Sequence, residues 1–412
     1  MSEVKNIPRL RFSEFDSNWE VTDIKDVFSI MNGYAFSSLD SQEKGVKWVK
    51  IADVGIGEMV YKNVSYLPES YLTKYSKFIL KKGDFVVALT RPILSGKLKI
   101  STIDDYYHNS LLNQRVGKIE TKNQSVFVYN LLRTDRLINT IENNINGSEP
   151  PNLSPSTLNG LKVNIPSLTE QQKIADFLTA VDKRIELLEK KKTLLETYKK
   201  GVMKKIFKQE IRFKDDNGND FPNWEEKRLE DVFKSSKGKG LSKDKVSDHG
   251  RHKAVLYGEL YTTYKEVAYT IKSYTDFDEG TKSRVGDLLV PCSTTTSNID
   301  LANVTAIMED DIRLGGDISI LRTTGVDIDN IFYSYYLSNH KKYELAKFGQ
   351  GTTIVHLYYS HFKNMKVDVP SLEEQIKISK FLSSIDNQIE LLVSQIDKSK
   401  TWKKGLLQKM FV

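Results

Sequence analysis

The sequence predicts an α+β protein with two pseudo-symmetric globular regions joined by two long helices that form an antiparallel coiled coil. Three observations predict it. The chain repeats itself once at a long period. Each repeat closes with a heptad-patterned segment too long to stand alone. The regions before those segments mix strand and helix patterns.

Val163 to Phe207 and Val367 to Phe411 align without a gap at an offset of 204, with 21 identities in 45 positions. Chance gives roughly one in fifteen to twenty, so the chain carries an internal duplication. The correspondence continues upstream. Gly147-Ser148 answers Gly351-Thr352, Leu153 answers Leu357, and Gly83-Asp84 answers Gly286-Asp287. Asn18-Trp19 and Asn223-Trp224 stand near the two beginnings. The expected partition is residues 1–167, 168–208, 209–371 and 372–412.

The repeated segments read as helices. Pro166 and Pro370 stop the strand-like runs before them, because proline cannot continue a ladder. Thr169 is the expected N-cap of the first helix and Ser371 the nearest equivalent in the second. Apolar residues then recur at steps of four and three, the a and d positions of a heptad. The first seam is Ile174, Leu178, Val181, Ile185, Leu188, Leu195, Val202 and Ile206. The second is Ile378, Leu382, Ile385, Ile389, Leu392, Ile396, Leu406 and Met410. Lys192, Lys199, Ser399 and Lys403 interrupt these seams; a polar seam residue costs stability but fixes register. A helix of about 40 residues is about 60 Å long and needs a partner for its stripe. The other copy supplies one. Antiparallel pairing would set the globular regions at opposite ends of a rod. The alternatives are a helix packed only on its own domain, or homodimerisation through the same stripes.

The globular regions mix patterns. Lys47 to Ile51, Phe78 to Leu80 and Asp84 to Leu89 read as strands, the last two around a Lys82-Gly83 turn. Val126 to Ile141 reads as a continuous helix. In the second region Lys253 to Tyr257, Asp287 to Val290 and Ile318 to Leu321 read as strands, and Ile331 to Leu337 as a helix.

Composition narrows the function classes. The chain has 412 residues, enough for two or three domains. It is 39% hydrophobic and 28% charged, which excludes a disordered chain. No run of about 18 apolar residues is present, and the start lacks a basic, then apolar, signal pattern. One cysteine, Cys292, excludes a disulfide framework and a cysteine-built zinc site. A cytoplasmic location with no membrane association is the expectation.

A search for catalytic machinery finds none. Glu149-Pro150-Pro151-Asn152 has the wrong order for an amine-holding methyltransferase loop and lacks its aromatic. Phe348-Gly349-Gln350-Gly351 has the wrong glycine spacing for a methyl-donor turn. Gly238 to Ser242 does not satisfy G-x-x-x-x-G-K-[ST]. His249 with His252, and His356 with His361, lack carboxylate or thiol partners at metal-ligand spacing. Cys292 has no identifiable base and reads as a small packed residue.

The duplicated order of motifs resembles the specificity subunit of type I restriction–modification enzymes. The residues that carry the resemblance are Pro166-Ser167-Leu168, Glu170-Gln171, Lys173-Ile174 and Phe177-Leu178, repeated as Pro370-Ser371-Leu372, Glu374-Gln375, Lys377-Ile378 and Phe381-Leu382. The Gly-Asp strands and the Gly-Ser/Thr loops also fit, and the resemblance covers essentially the whole chain. It implies that residues 1–167 and 209–371 are target recognition domains, each reading one half of a bipartite, asymmetric double-stranded DNA target. It implies that the helix pair sets the spacer and docks two modification subunits, which methylate adenine. Restriction subunits would add ATP-dependent cleavage. The chain itself would be non-catalytic and hold no cofactor; S-adenosylmethionine, ATP and Mg belong to the partners. A two-headed coiled-coil scaffold that binds proteins rather than DNA is the alternative reading.

Base reading needs paired donors and acceptors, and phosphate contacts need Lys, Arg, Ser, Thr or backbone amides. Polar loops after strands suit both tasks. The candidates in the first region are Thr90, Arg91, Asn113, Gln114, Arg115, Gly147 and Ser148. In the second they are Ser293, Thr294, Thr295, Thr296, Ser297, Asn298, Arg313, Gln350, Thr352, Thr353 and His356. Lys237, Lys239 and Lys243 lie in the stretch from Lys234 to Lys253, which reads either as a phosphate clamp or as a solvated loop. The net charge is +7. Residues 169–208 carry 11 Lys+Arg against 6 Asp+Glu, and residues 373–412 carry 7 against 5. The helices therefore hold the whole excess, and the globular regions are jointly neutral.

Overall fold

The two heptad segments fold as single long helices, Leu168–Phe207 with 40 residues and Leu372–Lys409 with 38. The computed structural model describes residues 6–62, 64–145, 150–278 and 280–412. The chain divides into two units, Met1–Glu189 with Ser394–Val412, and Lys190–Val393. Each unit thus takes one end of each long helix.

Within each unit the start of one helix packs on the end of the other, so the pairing is antiparallel. In the first unit Ile174, Leu178, Val181 and Ile185 share a core with Leu406, Met410 and Phe411. In the second, Ile378 and Leu382 share a core with Met203, Ile206 and Phe207. Ile385, Ile389, Leu392 and Ile396 are buried, and Leu188, Leu195 and Val202 are half-buried. The lysines that interrupt the seam have specific partners. Lys199 Nζ donates to both carboxylate oxygens of Asp386, at 2.7 and 2.8 Å. Lys403 pairs with Asp182. These are the same two sequence positions used twice, 204 residues apart.

The first helix starts earlier than a Thr169 cap requires. Ser167 is its cap: the hydroxyl oxygen accepts from Glu170 N at 3.3 Å, and Thr169 lies inside the first turn. The acceptor must stand three residues ahead of the amide it satisfies, and only Ser167 does. Ser371 caps Glu374 N at 3.4 Å, as expected.

The Glu-Gln pair that follows each cap joins helix to globular region. Glu170, 1% exposed, accepts from Arg11 Nε at 2.7 Å and Nη2 at 2.6 Å, and from Trp19 Nε1 at 3.2 Å. Glu374, fully buried, accepts from Arg212 Nε at 3.1 Å and Nη2 at 2.8 Å, and from Trp224 Nε1 at 2.9 Å. The glutamines bridge backbones. Gln171 donates to Pro166 O at 2.9 Å and accepts from Gln124 N at 3.1 Å. Gln375 donates to Pro370 O at 2.7 Å and accepts from Asp329 N at 2.9 Å. Gln124 and Asp329 are themselves the N-caps of Ser125–Leu131 and Asn330–Tyr335.

Each unit is built on one main sheet, antiparallel in the first and antiparallel except for one parallel edge pair in the second. The first orders its strands Ser29–Asn32, Val116–Glu120, Phe85–Ala88, Ile100–Thr102. The second orders Phe233–Lys237, Ile318–Thr323, Leu288–Pro291, Thr305–Ile307, Val267–Ala268. The Gly-Asp turns set the central strands. Gly83 and Gly286 have φ of 90° and 88°, which glycine alone adopts at little cost. Asp84 accepts from Lys81 N at 2.8 Å and pairs with Lys118 at 2.9 Å. Asp287 accepts from Arg284 N at 2.9 Å and holds Arg322 through two bonds of 2.7 Å.

Three local expectations are corrected. Phe78 to Leu80 is no strand: Ser76–Phe78 is a 3-10 turn, fed directly by Tyr71–Lys74, with Phe78 N donating to Tyr75 O at 2.9 Å. Val126 to Ile141 is two helices, Ser125–Leu131 and Asp135–Ile145. Thr134 breaks them, since its hydroxyl donates back to Leu131 O at 2.8 Å and accepts from Leu137 N at 3.4 Å. The helix at Asn330–Tyr335 runs on as a π-helical stretch, Tyr336–His340. No described helix is long and apolar enough to cross a membrane.

Two outcomes follow. Glu374→Gln leaves the Arg212 guanidinium without its carboxylate in a buried site and should lower unfolding free energy by about 2–4 kcal/mol in urea titrations. A double-mutant cycle of Lys199→Met and Asp386→Asn should show a coupling of about 1–2 kcal/mol; strictly additive losses would mean that the pair does not hold the seam.

Candidate nucleic-acid interface

In the first unit two predicted segments meet at one sheet edge. Thr90 and Arg91 follow Phe85–Ala88. Asn113, Gln114 and Arg115 form the turn before Val116–Glu120, the antiparallel neighbour of that strand. Leu89 N donates to Arg115 O at 3.0 Å and Gln114 N donates to Tyr34 O at 2.9 Å. Arg91, Gln114 and Arg115 are exposed, while Thr90 and Asn113 are half-buried. Asn113 orders its own turn, its Oδ1 accepting from Arg115 N at 3.2 Å. Arg91 stands at φ 48°, and its amide donates to Pro151 O at 2.8 Å. Gly147 and Ser148 lie outside the described residues.

In the second unit the equivalent segments also meet, as a two-stranded ladder. Ser293 pairs with His356 and Thr294 with Val355. This brings Ser293–Asn298 and Gln350–His356 together, although 50 or more residues separate them in sequence. Ser293 and Thr294 are 5% and 2% exposed; their hydroxyls bond Asp317 at 3.0 Å and Thr296 at 2.8 Å. Thr296 and Ser297 both donate to Asp300, at 2.6 and 2.8 Å. Those hydroxyls build the loop. Thr295, Asn298, Gln350, Thr352 and Thr353 are exposed. His356 is half-buried and stacks on Tyr358 at 5.5 Å.

The basic candidates separate. Lys237 joins the ladder: its ammonium lies 3.3 Å from Asp317 and 5.0 Å from the Tyr358 ring centroid. Lys239 and Lys243 are exposed. Arg313 is 3% exposed and belongs to another sheet. Its guanidinium donates to Asp278 O at 3.2 Å and to Asp311 O and Oδ1 at 2.8 and 2.9 Å. Its donors are thus engaged inside the fold.

Sequence reasoning missed two aromatics at these edges. Tyr34, 40% exposed, stands beside Asn113 through an isolated bridge and packs 4.5 Å from Tyr75. Tyr358 supports both His356 and Lys237. The signal was present as tyrosines in polar loops, but nothing in the pattern tied them to particular strands.

The chemistry available is donor-rich and open. Among the described residues no group of three or more His, Cys, Asp or Glu is placed to hold a metal ion. Cys292 is buried, 3.1 Å from Ser319 Oγ, and burial pushes its thiol above the ordinary range.

Known proteins share this organisation. The family described as "Type I restriction modification DNA specificity domain" matches residues 16–197 and again 222–398. The MjaVIII specificity subunit of a type I restriction enzyme from Methanocaldococcus jannaschii is 35% identical over 218 residues, spanning 52% of this chain and 51% of that subunit. The putative MjaX specificity subunit from the same organism is 24% identical across 98% of this chain and 95% of its own length. A type I restriction-modification S subunit from M. genitalium shares the fold with a TM-score of 0.60 at 17% identity, covering 98% of this chain and 99% of that one. With two matched copies that together span most of its length, the chain belongs to the type I restriction modification DNA specificity domain family.

Proposed function

We propose that the chain is the DNA sequence-recognition subunit of a type I restriction–modification complex and works in the cytoplasm. Residues 1–167 and 209–371 are the two recognition domains. Residues 168–208 and 372–412 are the helical spacer, which docks two modification subunits. Adenine methylation and ATP-dependent cleavage belong to those modification subunits and to restriction subunits, with S-adenosylmethionine, ATP and Mg as their cofactors. This chain supplies address, not chemistry.

One observation carries the reading. Both units bring together the loop after the Gly-Asp strand and the loop before the last strand, and they arm this shared frame with different side chains. The first presents Thr90-Arg91 against Pro151-Asn152, the second Ser293-Thr294 against Val355-His356. An identical frame with different donors is what two unlike half-sites require. Gln114 and Arg115 in the first domain, and Thr295, Asn298, Gln350 and Thr353 in the second, are the exposed side chains assigned to base edges. Lys237 and Lys239 are assigned to phosphates.

Replacing residues 1–167 by the equivalent region of another such subunit should change one half of the methylated target and leave the other half intact. Mapping methylated adenines in a host carrying the chimera and its partners reads this directly; changes in both halves would sink the modular reading. Gln114→Ala with Arg115→Ala should weaken binding of the assembled complex by about 1–3 kcal/mol per lost base contact, confined to the first half-site. An equal loss on every duplex would move these residues to phosphate contact.

A further inference from the structure

Each unit has a cleft where its globular part meets the long helices, of about 620 Å³ in the first unit and about 380 Å³ in the second. The two clefts are products of the same duplication. The lysine–aspartate pair lies on the floor of both: Lys403 with Asp182 in the first, Lys199 with Asp386 in the second. Lys404 lines the first at the position where Lys200 lines the second.

Both clefts are lined by more cations than carboxylates, but the group next to that shared pair differs. In the second unit a further carboxylate faces the lysine, with Glu266 3.6 Å from Lys199. Burial opposes the Glu266 charge, yet Lys199 and Asn339 hold its carboxyl below the usual range. Two carboxylates therefore answer one ammonium. In the first unit a guanidinium stands beside the pair instead. Arg133 lies over the Tyr129 ring at 4.9 Å. It also rests against Gly57, where a Cβ would meet its Nη2 at 3.1 Å. Burial and Arg133 together push the Lys403 ammonium below its ordinary range despite Asp182. Among the described residues Arg133 has no ion-pair partner, whereas Lys400 is answered by Glu189 at 2.7 Å and Lys97 by Asp135 at 3.2 Å. Two cations thus face Asp182 on the floor, with the exposed Lys404 and the exposed Glu58 at the side. Like charges held together in a partly desolvated site make a standing demand for an anion.

We propose that the cleft of the first unit binds a phosphate group, with Arg133 and Lys404 as its ligands and Lys403 as electrostatic support. A tetrahedral phosphate has enough oxygens to meet a planar guanidinium fork and an ammonium together. The cleft does not favour a nucleobase. Tyr129 is already stacked on Phe85 at 4.4 Å and covered by Arg133, so this ring offers no free face. The phosphate comes either from a duplex backbone or from a small phosphorylated molecule, and the site stands whether or not the chain reads DNA sequence.

The test uses the full chain, pyrophosphate as probe in isothermal titration calorimetry, and random-sequence duplex DNA over a range of salt. Wild type should bind pyrophosphate. Arg133→Gln and Lys404→Gln should each weaken it about tenfold, a loss of one charge-assisted contact. Lys200→Gln, the matching position of the second cleft, should change nothing. If the duplex backbone is the source, pyrophosphate competes with DNA and Arg133→Gln lowers the slope of log affinity against log salt by about one. If a small molecule is the source, duplex binding is unchanged while pyrophosphate binding falls. Either result supports the site. Three results overturn it: no pyrophosphate binding by wild type, binding indifferent to both first-cleft variants, or an equal loss with Lys200→Gln. Lys404 is exposed, so its variant tests the site even if Arg133→Gln disturbs folding.

Discussion

A seam lysine crossing to an aspartate on the facing helix, made twice, is the constraint on which the rest of the architecture depends. Lys199 meets Asp386 and Lys403 meets Asp182. Stepping back 17 residues from Lys199 reaches Asp182, and stepping forward 17 from Asp386 reaches Lys403. Opposite steps of equal length are the signature of one antiparallel register. A heptad seam of leucines and isoleucines tolerates a slip of one heptad with little loss of apolar burial. The charged pairs do not, because a slip would leave each largely buried lysine ammonium without its aspartate, at a cost of about 1–3 kcal/mol. The pairs thus contribute less to stability than to the choice of one register over its neighbours.

The second constraint is the joint between helix and globular region, and it explains why the Ser-Leu-x-Glu-Gln string is repeated intact while the regions around it diverge. Its serine, glutamate and glutamine have separate tasks. Serine caps the helix. Glutamate is buried and takes an arginine fork and an indole from the segment before the first strand. Glutamine ties the helix start to the cap of a second helix. Substituting any one exposes an unmet buried donor or acceptor elsewhere. The loops at the sheet edges carry no such load. Their backbones pair with each other, several of their side chains are exposed, and they differ between the two units. Function sits where the packing constraints end.

How much of this was legible in the sequence follows from the range of each interaction. The helices, their seams and their pairing were legible because they rest on local periodicity and on a duplication visible by alignment. The cap was misread by two residues because Ser167 and Thr169 are both good acceptors and only the start of the helix distinguishes them. Phe78 to Leu80 looked like a strand from composition, yet Phe78 closes a turn and only an isolated bridge, Ile79 with Leu111, follows it. The base-reading candidates came from a local rule, polar loop after strand, and that rule cannot see a ladder between Ser293 and His356. It also placed Arg313 on a contact surface, although a short side chain–backbone network holds it inside. Tyr34 and Tyr358 escaped notice for the same reason: their place depends on pairings distant in sequence.

The charge distribution carries a last consequence. The second globular region, residues 209–372, has 22 basic and 25 acidic residues, and many of its cations already have carboxylates. Lys253 meets Glu309 at 2.7 Å, Lys282 meets Asp311 at 2.6 Å, Arg313 meets the same Asp311 at 2.9 Å, and Arg322 meets Asp287 at 2.7 Å. A cation held by a carboxylate releases few counterions when a phosphate approaches, so it adds little to non-specific affinity. If the proposed function holds, what remains for DNA is a small set of outward polar side chains, which suits discrimination between bases better than strong attachment. Affinity must therefore come from surfaces outside the recognition loops. On the proposed function, partner subunits closing around the duplex would supply one source. The uncompensated cations at Arg133 and Lys404 supply another, if the phosphate they hold belongs to the backbone. Specificity and affinity would then reside on different parts of the assembly, and each recognition domain could change its bases without changing how tightly the complex holds DNA.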